Sequence, residues 1–539
     1  MYKKILSDFS AGVNYACAPL QLGLDSKVTP WANGLNVEIY CTKGVCRQNG
    51  NVLIGLTPEP KAINSIFTFT PSRNPKAVKI LYSTADGEFY EYDRLSGEHV
   101  LRVVDLRPDT PCVYAEFMGG VAICNGKDTP FYYKGDEDGG LGSFFEMNTV
   151  GKDGESPILA TAVCAYKSRL WLADEDTLYY SALGRFDDWT STDDAGFISN
   201  FHCDSAPVTA LRPYKDYIAI YKRTQTYLLS GSTPDEFAIA PFADKGACAQ
   251  NAVVTASNKQ YFFSGALFSL EQSGLLSQIA LGSEASLPIK PILNGDSSNI
   301  KTLKDQFGNS FRVGCPLDKS NLQKAHLLYY EPKNQLWLYI PTQNNPYLNN
   351  IWIYDITHDA WTHRGQPQPI LCASNYGEQI ISATDDGRIY LEDVGSTFDD
   401  EPITFEWKSP FLALGNVNSR KSIDDFYFLF SDLCDNKFRF CTFKDYDSLD
   451  AQDLEVVNVS NSLNMIWADE ASEGGQFDWA GDSDDFPSSK GKYWAVPSEI
   501  AEKIDISLSC TALQLCIFGD SAEENFAMLA LEFKEIFEE

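Results

Sequence analysis

Short apolar runs alternate with polar turns through most of this chain, and the clearest example lies between residues 163 and 231. Val163–Tyr166, Arg169–Ala173 and Thr177–Ala182 are rich in β-branched and aromatic residues, and polar turns separate them. Runs of this length and composition, punctuated by turns, predict antiparallel strands.

The same order of runs and turns recurs one unit later in the chain. Tyr166-Lys167 and Tyr214-Lys215 occupy the same place in the two units, 48 residues apart. A repeat of about 40–50 residues built from short strands is typical of a β-propeller.

The polar turn before the central strand of each unit can be located seven times along the chain. These turns lie near Asn74-Pro75, Gly119-Gly120, Lys167-Ser168, Lys215-Asp216, Asn258-Lys259, Lys333-Asn334 and Gly377-Glu378. One interval is longer than the rest, and the proline-containing stretch near 287–320 falls inside it. We therefore predict an all-β protein whose residues 61–400 form a propeller of about seven blades, with an insertion near 287–320.

Residues 1–60 are rich in loops and contain one clear hairpin, Glu38–Cys41 with Val45–Gln48. Asn51–Leu56 is a candidate for a third strand. N-terminal segments of this kind often close a propeller ring by adding a strand to the last blade. We expect residues 1–60 to act as such an N-terminal loop and hairpin segment.

Longer strands are predicted after residue 400, so we assign residues 401–539 to a separate β domain that resembles a sandwich. The predicted strands are Ile403–Lys408, Asp424–Phe430, Lys437–Phe443, Asp453–Val459 and Ile504–Phe518. Phe526–Phe537 fits either a last strand or a short helix. Residues 468–486 are acidic and rich in Gly and Ser, which predicts an exposed loop.

The composition allows a large apolar core and argues against nucleic-acid binding and a membrane-spanning helix. The chain has 539 residues, of which 44% are hydrophobic and 13% aromatic, and its formal net charge is −31. Such a surface repels nucleic-acid phosphate, and it also serves plain solubility. No apolar run approaches the roughly 18 residues of a membrane-spanning helix, and the first residues do not resemble a secretory signal.

Candidate metal ligands are few and poorly clustered. Cys41 and Cys46 flank a turn and form half of a conceivable zinc site, but two small side chains in a hairpin explain them better. The same interpretation applies to Cys434/Cys441 and Cys510/Cys516. The fourteen cysteines are dispersed, so we expect reduced and mostly buried thiols.

His358 and His363 lie close in sequence with Asp359 between them, yet no third ligand is near, so a structural or solvated role is favoured. Asp482, Asp484 and Asp485 are a weak calcium candidate, since their spacing is not that of an EF-hand. We predict no metal site and no cofactor.

No nucleophile elbow, zinc-protease helix or phosphate-binding loop is present in the sequence. A carboxylate pair of the glycosidase type remains an alternative, because acidic residues abound. Only Asp385-Asp386-Gly387 faintly resembles the Asp-box turn of propeller sialidases. We therefore predict no catalytic residue and no enzymatic activity, with a glycan-binding propeller or glycoside hydrolase as the alternative.

Several stretches together resemble one known family, the tail hub or tail nozzle proteins of short-tailed bacteriophages. The stretches are DFSAGVN at residues 8–14, WANGLNVEIYCTKGVCRQNGN at 31–51, RLWLADEDTLYYSALGRFDDWT at 169–190, IAIYKRTQTYLLSG at 218–231, KGACAQNAV at 245–253, YFFSGALFSLEQSG at 261–274, and FEWKSPFLALGNVNSRKSIDDFYFLFS at 405–431. The high cysteine count and the acidic loop 468–486 depart from the family pattern.

The resemblance implies a structural virion protein that works in the phage tail after assembly in the host cytoplasm. Family members resemble propellers with added β domains, and they form a ring, usually a homohexamer, below the portal and adaptor. The genome passes through the lumen during ejection without specific binding, and fibres, spikes or a needle attach outside or below. Ile351–Trp361 (IWIYDITHDAW) also resembles a kelch blade, which leaves a protein-binding scaffold as a third reading.

Overall fold

The computed structural model describes residues 2–22, 27–199, 201, 205–273, 278–295, 301–304, 310–313, 316–431, 436–447, 452–459, 499–520 and 526–538. It divides into two compact units. One unit comprises Met1–Gly12, Ala18–Gln48 and Pro402–Glu539, and the other comprises Val13–Cys17 and Asn49–Glu401. The sequence treated residues 1–60 as one segment, whereas the structure divides them between both units. The acidic loop 468–486 lies outside the described residues.

The first part of the chain supplies one short helix and five strands. They are β1 (Tyr2–Leu6), α1 (Pro19–Leu22), β2 (Asn33–Leu35), β3 (Val37–Ile39), β4 (Val45–Arg47) and β5 (Asn51–Leu56). Strands β3 and β4 pair in an antiparallel hairpin, as the sequence predicted.

Four-stranded antiparallel sheets then follow one another, and we number them as blades 1 to 5. Blade 1 is β6–β9 (Ile63–Phe69, Lys79–Thr84, Phe89–Asp93, Glu98–Val103), and blade 2 is β10–β13 (Val113–Phe117, Gly120–Cys124, Phe131–Lys134, Ser143–Glu146). Blade 3 is β14–β17 (Ala162–Tyr166, Arg169–Asp174, Thr177–Tyr180, Gly196–Ser199), and blade 4 is β18–β21 (Val208–Tyr214, Tyr217–Lys222, Thr226–Ser230, Ala238–Ala243). Blade 5 is β22–β25 (Val253–Ala256, Lys259–Phe263, Leu267–Ser273, Gln278–Leu281).

The predicted insertion follows blade 5 and consists of a short helix and a hairpin. These are α2 (Lys290–Leu293), β26 (Lys301–Lys304) and β27 (Ser310–Val313). Short 3-10 helices lie at Pro234–Glu236, Gln250–Ala252, Leu287–Ile289, Lys319–Lys324 and Glu331–Lys333.

Blade 6 is β28–β31 (His326–Tyr330, Gln335–Tyr339, Asn350–Asp355, Ala360–Gly365). Blade 7 begins with β32–β34 (Ile370–Tyr376, Gln379–Thr384, Arg388–Glu392) and takes β5 as its fourth strand, followed by β35 (Thr397–Phe398) and β36 (Glu401–Pro402). Strand β5 lies antiparallel to β34, so the N-terminal segment completes the last blade as expected. The described residues thus form a seven-bladed propeller.

Each predicted polar turn coincides with the first turn of a blade. In blade 3 this turn has positive φ angles at Lys167 (45°) and Ser168 (59°), and in blade 5 Asn258 has a φ of 65°. Two consecutive positive φ angles match the right-handed twist of a tight hairpin. Polar residues that tolerate this conformation therefore mark the repeat in the sequence.

Adjacent blades share their apolar cores. Buried residues of blades 1 and 2 form one cluster, and those of blades 2 and 3, 3 and 4, 4 and 5, and 6 and 7 form others. A further cluster joins Ile63 and Tyr82 of blade 1 to Cys372 and Ile389 of blade 7. Because each core is built from two blades, one blade cannot bury its apolar faces alone.

The repeated Tyr-Lys pair links neighbouring blades at their first turns. The Tyr166 hydroxyl of blade 3 donates a hydrogen bond to the Asp216 carbonyl of blade 4. The Tyr214 hydroxyl donates in the same way to the Asn258 carbonyl of blade 5, at 2.9 Å. The feature that revealed the repeat in the sequence is therefore a contact between blades.

Residues after 402 form the remaining strands, and the sheets they build face each other through aromatic side chains. These strands are β37 (Phe405–Lys408), β38 (Lys421–Ser431), β39 (Asn436–Lys444), β40 (Gln452–Val459), β41 (Glu499–Cys510), β42 (Leu513–Gly519) and β43 (Ala527–Glu538). One sheet has the order β3-β4-β43-β38-β41 with β1 beside β43, and the other has the order β2-β37-β42-β39-β40. Phe426 and Phe428 on β38 contact Phe440 and Phe438 on β39, with ring centroids 5.3 and 6.0 Å apart. This unit is a β-sandwich.

The prediction of one continuous strand in the sandwich was wrong. Ile504–Phe518 was expected to be continuous, but it breaks at Thr511-Ala512 into β41 and β42. The break is required because β41 pairs in one sheet and β42 in the other. The ambiguous stretch Phe526–Phe537 is a strand, β43.

The N-terminal and C-terminal strands of the sandwich meet around two tryptophans. The Phe9 ring lies edge-on to Trp407 at 5.5 Å, and the Trp31 Nε1 donates to the Phe9 carbonyl at 2.8 Å. Nearby, the Asn33 amide donates to the buried Glu406 carboxyl group at 2.9 Å, and burial raises the pKa of that group. The sandwich core therefore depends on residues from both ends of the chain.

A buried ion pair between blades 6 and 7 binds the residues just before β5, the strand that completes the last blade. We name this group the closure cluster, and it comprises Arg364, Gln366 and Glu392 with the carbonyls of Asn49 and Gly50. The Arg364 guanidinium contacts Glu392 at 2.8 Å and the Gly50 carbonyl at 2.9 Å, and both charged side chains are fully buried. Gln366 bonds to both partners, at 3.1 Å each. These bonds offset the desolvation of the two charges.

We predict that Arg364→Met lowers the free energy of unfolding of the propeller by about 3–5 kcal/mol, because Glu392 is left buried without its partner. Urea unfolding followed by tryptophan fluorescence measures the change. The matched control is Arg185→Met, since Arg185 forms an exposed pair with Asp187 at 2.9 Å. That control should leave the free energy of unfolding unchanged within the error of the measurement, because the pair is exposed to solvent. Equal effects of the two substitutions would contradict the assignment.

Candidate functional site

A groove of about 500 Å³ lies between blades 4 and 5 and the insertion. In an up-and-down sheet, the second turn and the end of the fourth strand lie at the same end of the blade. The groove is built from such segments: the second turns at 223–224 and 264–266, the link at 244–246, and the insertion after blade 5. It therefore opens on one face of the propeller.

The floor of this groove is apolar and the link between the two blades passes close beneath it. Ala266, Phe268, Leu293 and Leu322 line it, and both leucines are buried. Gly246 also lines it, and a Cβ at this position would overlap the Lys222 carbonyl oxygen. Only glycine allows the chain to follow this path.

Four cations surround the floor, and we call the whole feature the basic groove. They are Arg223, Lys245, Lys290 and Lys319, and all four are exposed. Asp244 and Glu284 are the acidic residues of the lining, and Glu284 pairs with Lys290 at 3.2 Å. The groove carries more positive than negative charge, although the chain has 74 acidic and 43 basic residues.

Three of these cations form no ion pair within the described part of the chain. The Lys245 ammonium group lies over the Phe268 ring, 5.3 Å from its centroid, in a cation–π contact. The Arg223 carbonyl accepts a hydrogen bond from the Ser264 hydroxyl at 3.1 Å, so the two turns that carry the rim are joined. Converging, exposed cations of this kind attract an anionic group.

The insertion forms the far wall of the groove and is anchored by backbone bonds. The Leu317 amide donates to the Ile292 carbonyl at 3.1 Å, and the Gln343 amide donates to the Pro316 carbonyl at 3.0 Å. The sequence identified the insertion but gave no signal for the groove, because its cations come from four separate segments.

The cysteine pairs considered from the sequence are arranged differently in space. Cys41 is exposed at the β3–β4 turn and Cys46 is half-buried on β4. Cys441 lies directly opposite Cys516 across strands β39 and β42, a pairing the sequence did not suggest. Their mutual hydrogen bond lowers the pKa of the Cys441 thiol and raises that of Cys516. Cys434 lies outside the described residues.

The two histidines considered as metal ligands lie in different environments. His358 is in a turn, with its Nδ1 at 3.1 Å from the Asp355 carboxylate. His363 is buried on β31 and stacks on Trp352, with ring centroids 4.5 Å apart. Among the described residues, no group of three or more His, Cys, Asp or Glu side chains is placed to hold a metal ion. Asp482, Asp484 and Asp485 lie outside the described residues.

The Asp-Gly turn that faintly resembled an Asp box occurs in both blade 1 and blade 7. The Thr384 hydroxyl donates to Asp386 at 2.5 Å, and Thr84 makes the equivalent bond to Asp86. Arg388 contacts Asp386 at 3.1 Å. Each aspartate is thus engaged by its own hairpin, which explains the motif as turn structure.

The class of protein follows from these features: an all-β chain with a seven-bladed propeller, a β-sandwich and a basic groove on one propeller face. No helix in the described ranges is long and apolar enough to cross a membrane. No protein-family model matches the chain, and no curated protein matches its sequence.

Several solved structures are similar to part of the chain. The computationally designed Ika8 protein is 13% identical, with a TM-score of 0.36 over 64% of this chain and all of its own. YCF48 from Cyanidioschyzon merolae (9% identity, TM-score 0.38) matches 64% of this chain and 98% of its own. The RRP9 WD40 repeats are 8% identical, with a TM-score of 0.39, and match 65% of this chain and 99% of their own. At these scores the likenesses carry no argument about function, and the fold rests on the sheets themselves.

Buried histidines predict a loss of stability in mild acid. Burial lowers the pKa of His326 and of His363 to about 4. In the unfolded chain both imidazoles have a pKa of about 6.5, so the free energy of unfolding keeps its full value above that pH. As the pH falls from 6.5 to about 4, each of the two histidines lowers the free energy of unfolding by about 1.4 kcal/mol per pH unit.

In the His363→Phe variant the new ring can still stack on Trp352, but the imidazole that binds a proton is lost. Neither ring nitrogen of His363 has a hydrogen-bond partner among the described residues, so no bond is lost. We expect the slope of unfolding free energy between pH 6.5 and 4 to decrease by about 1.4 kcal/mol per pH unit. Urea titrations at several pH values measure it, with the wild-type chain titrated in parallel as the reference. A His363→Phe profile parallel to that of the wild type would refute the prediction.

Proposed function

We propose that this protein is a structural subunit of the tail hub or tail nozzle of a short-tailed bacteriophage. The observation that carries the proposal is where the stretches resembling that family lie. Phe9 in DFSAGVN contacts both Trp31 in WANGLN and Trp407 in FEWKSPFLALG in the sandwich core. Resemblances at the two ends of the sequence therefore belong to one packed cluster.

The middle stretches support the same proposal because they also form framework. RLWLADEDTLYYS supplies the second and third strands of blade 3, and IAIYKRTQTYLLS supplies those of blade 4. These residues lie along buried strands, so what the chain shares with that family is the framework of the blades. The proposal is thus that the protein acts through its shape and assembly, without catalysis.

In this proposal, copies of the chain form a ring that continues the DNA channel below the portal and adaptor proteins. A hexamer is favoured by the resemblance. Fibres, spikes or a needle attach to the outer or lower surface, and the working location is the virion tail. A ring multiplies the formal charge of −31 per chain, and a negative lumen lets DNA slide without adhering.

We predict that the purified full-length chain forms rings, alone or together with the phage adaptor protein. Heterologous contacts between different surfaces of one chain close into rings when the rotation is suitable. Mass photometry gives the number of subunits, and negative-stain electron microscopy shows a central channel. A chain that stays monomeric in the presence of the adaptor would refute the proposed function.

A further inference from the structure

We propose that the basic groove binds an acidic turn of a second copy of this chain, so that the groove is one half of the contact that closes the ring. The inference rests on the proposed function, because it assigns a partner to one surface of the proposed ring. The acidic turn is the one between β12 and β13 of blade 2, which contains Asp136, Glu137 and Asp138.

The groove selects a carboxylate-rich occupant by its charge. Arg223, Lys245 and Lys319 form no ion pair with the described residues, although the chain has 31 more acidic than basic residues. The groove has a volume of about 500 Å³ and an apolar floor, which suits a short peptide turn. A positive surface facing a negative one gives register and specificity at an interface.

The acidic turn is exposed and held in a defined position. Asp136, Glu137 and Asp138 are all exposed. Arg73 in the first turn of blade 1 pairs with Glu137 at 2.9 Å, and its amide donates to the Glu137 carbonyl at 3.0 Å. The Asn74 side chain donates to the Asp138 carbonyl at 3.2 Å. A turn fixed in this way loses little conformational entropy on binding.

The groove and the turn cannot meet within one chain. The turn after the third strand of a blade lies at the end opposite to the turn after the second strand. The acidic turn is therefore on the other face of the propeller from the basic groove, and two blades lie between blade 2 and blade 5. A contact between them must join two copies, and it is heterologous because the two surfaces differ. Heterologous contacts close into a ring when the rotation between neighbouring copies is suitable.

Charge-swap variants of the full-length chain test this contact. Arg223→Glu with Lys245→Glu reverses the groove, and Asp136→Lys with Asp138→Lys reverses the turn. We expect each pair alone to raise the protein concentration for half-assembly by about tenfold, and the four substitutions together to return it to about the wild-type value. Mass photometry at a fixed, low salt concentration measures assembly.

The control is Lys127→Glu with Lys152→Glu. It makes the same change in net charge as the groove reversal, on exposed lysines outside the groove. This control separates loss of the contact from general charge repulsion between copies. We expect its protein concentration for half-assembly to stay within about threefold of the wild-type value. All substituted residues are exposed, and an unchanged thermal unfolding midpoint verifies the fold of each variant.

The outcomes separate this inference from the proposed function. Rings that form equally well from the groove-reversed chain overturn the inference and leave the proposed function intact. A wild-type chain that forms no ring, even with the adaptor, refutes the proposed function and this contact with it. Groove-dependent binding of a DNA oligonucleotide, without rescue of assembly by the four substitutions, overturns the inference in favour of a phosphate site.

Discussion

Closure of the propeller depends on one buried ion pair that joins distant parts of the chain. Arg364 at the end of blade 6 contacts Glu392 of blade 7 and the carbonyls just before β5. Neighbouring blades share apolar cores, and one of these cores joins blade 7 to blade 1, so it forms only when the ring is complete. An apolar cluster would tolerate sliding of β5 along β34, but a guanidinium with fixed donor directions does not. The pair thus sets the register at which the ring closes.

The groove follows from the same architecture. Blades repeat around the ring with the same direction, so second turns and inter-blade links collect on one face. At blades 4 and 5 these segments carry Arg223 and Lys245, and the insertion adds Lys290 and Lys319. The third turns collect on the opposite face, where blade 2 carries its acidic residues. The basic groove and the acidic turn of blade 2 therefore lie on opposite faces of the propeller. Head-to-tail assembly requires two such different surfaces on each copy.

Particular residues explain why much of the fold could be predicted and the site could not. The aromatic-rich run Phe426–Phe430 predicts a strand, and in the structure every second residue of it, Phe426, Phe428 and Phe430, is buried. Tyr166-Lys167 and Tyr214-Lys215 revealed the repeat because they occupy the same inter-blade contact. Thr511-Ala512 was missed because a change of partner sheet leaves the apolar pattern unbroken. The groove and the Cys441–Cys516 pair were missed because their members are far apart in the sequence.

The sequence by itself determined the all-β class, the seven repeats with their first turns, the insertion and the change of domain near residue 401. Local physical chemistry decides these features, since strand alternation and turn residues act over a few positions. Only the tertiary structure decided the register of β5 against β34, that both ends of the chain build one sandwich, and that four separated cations surround one groove. Those features depend on which strands become neighbours, and that choice is made by packing between residues hundreds of positions apart.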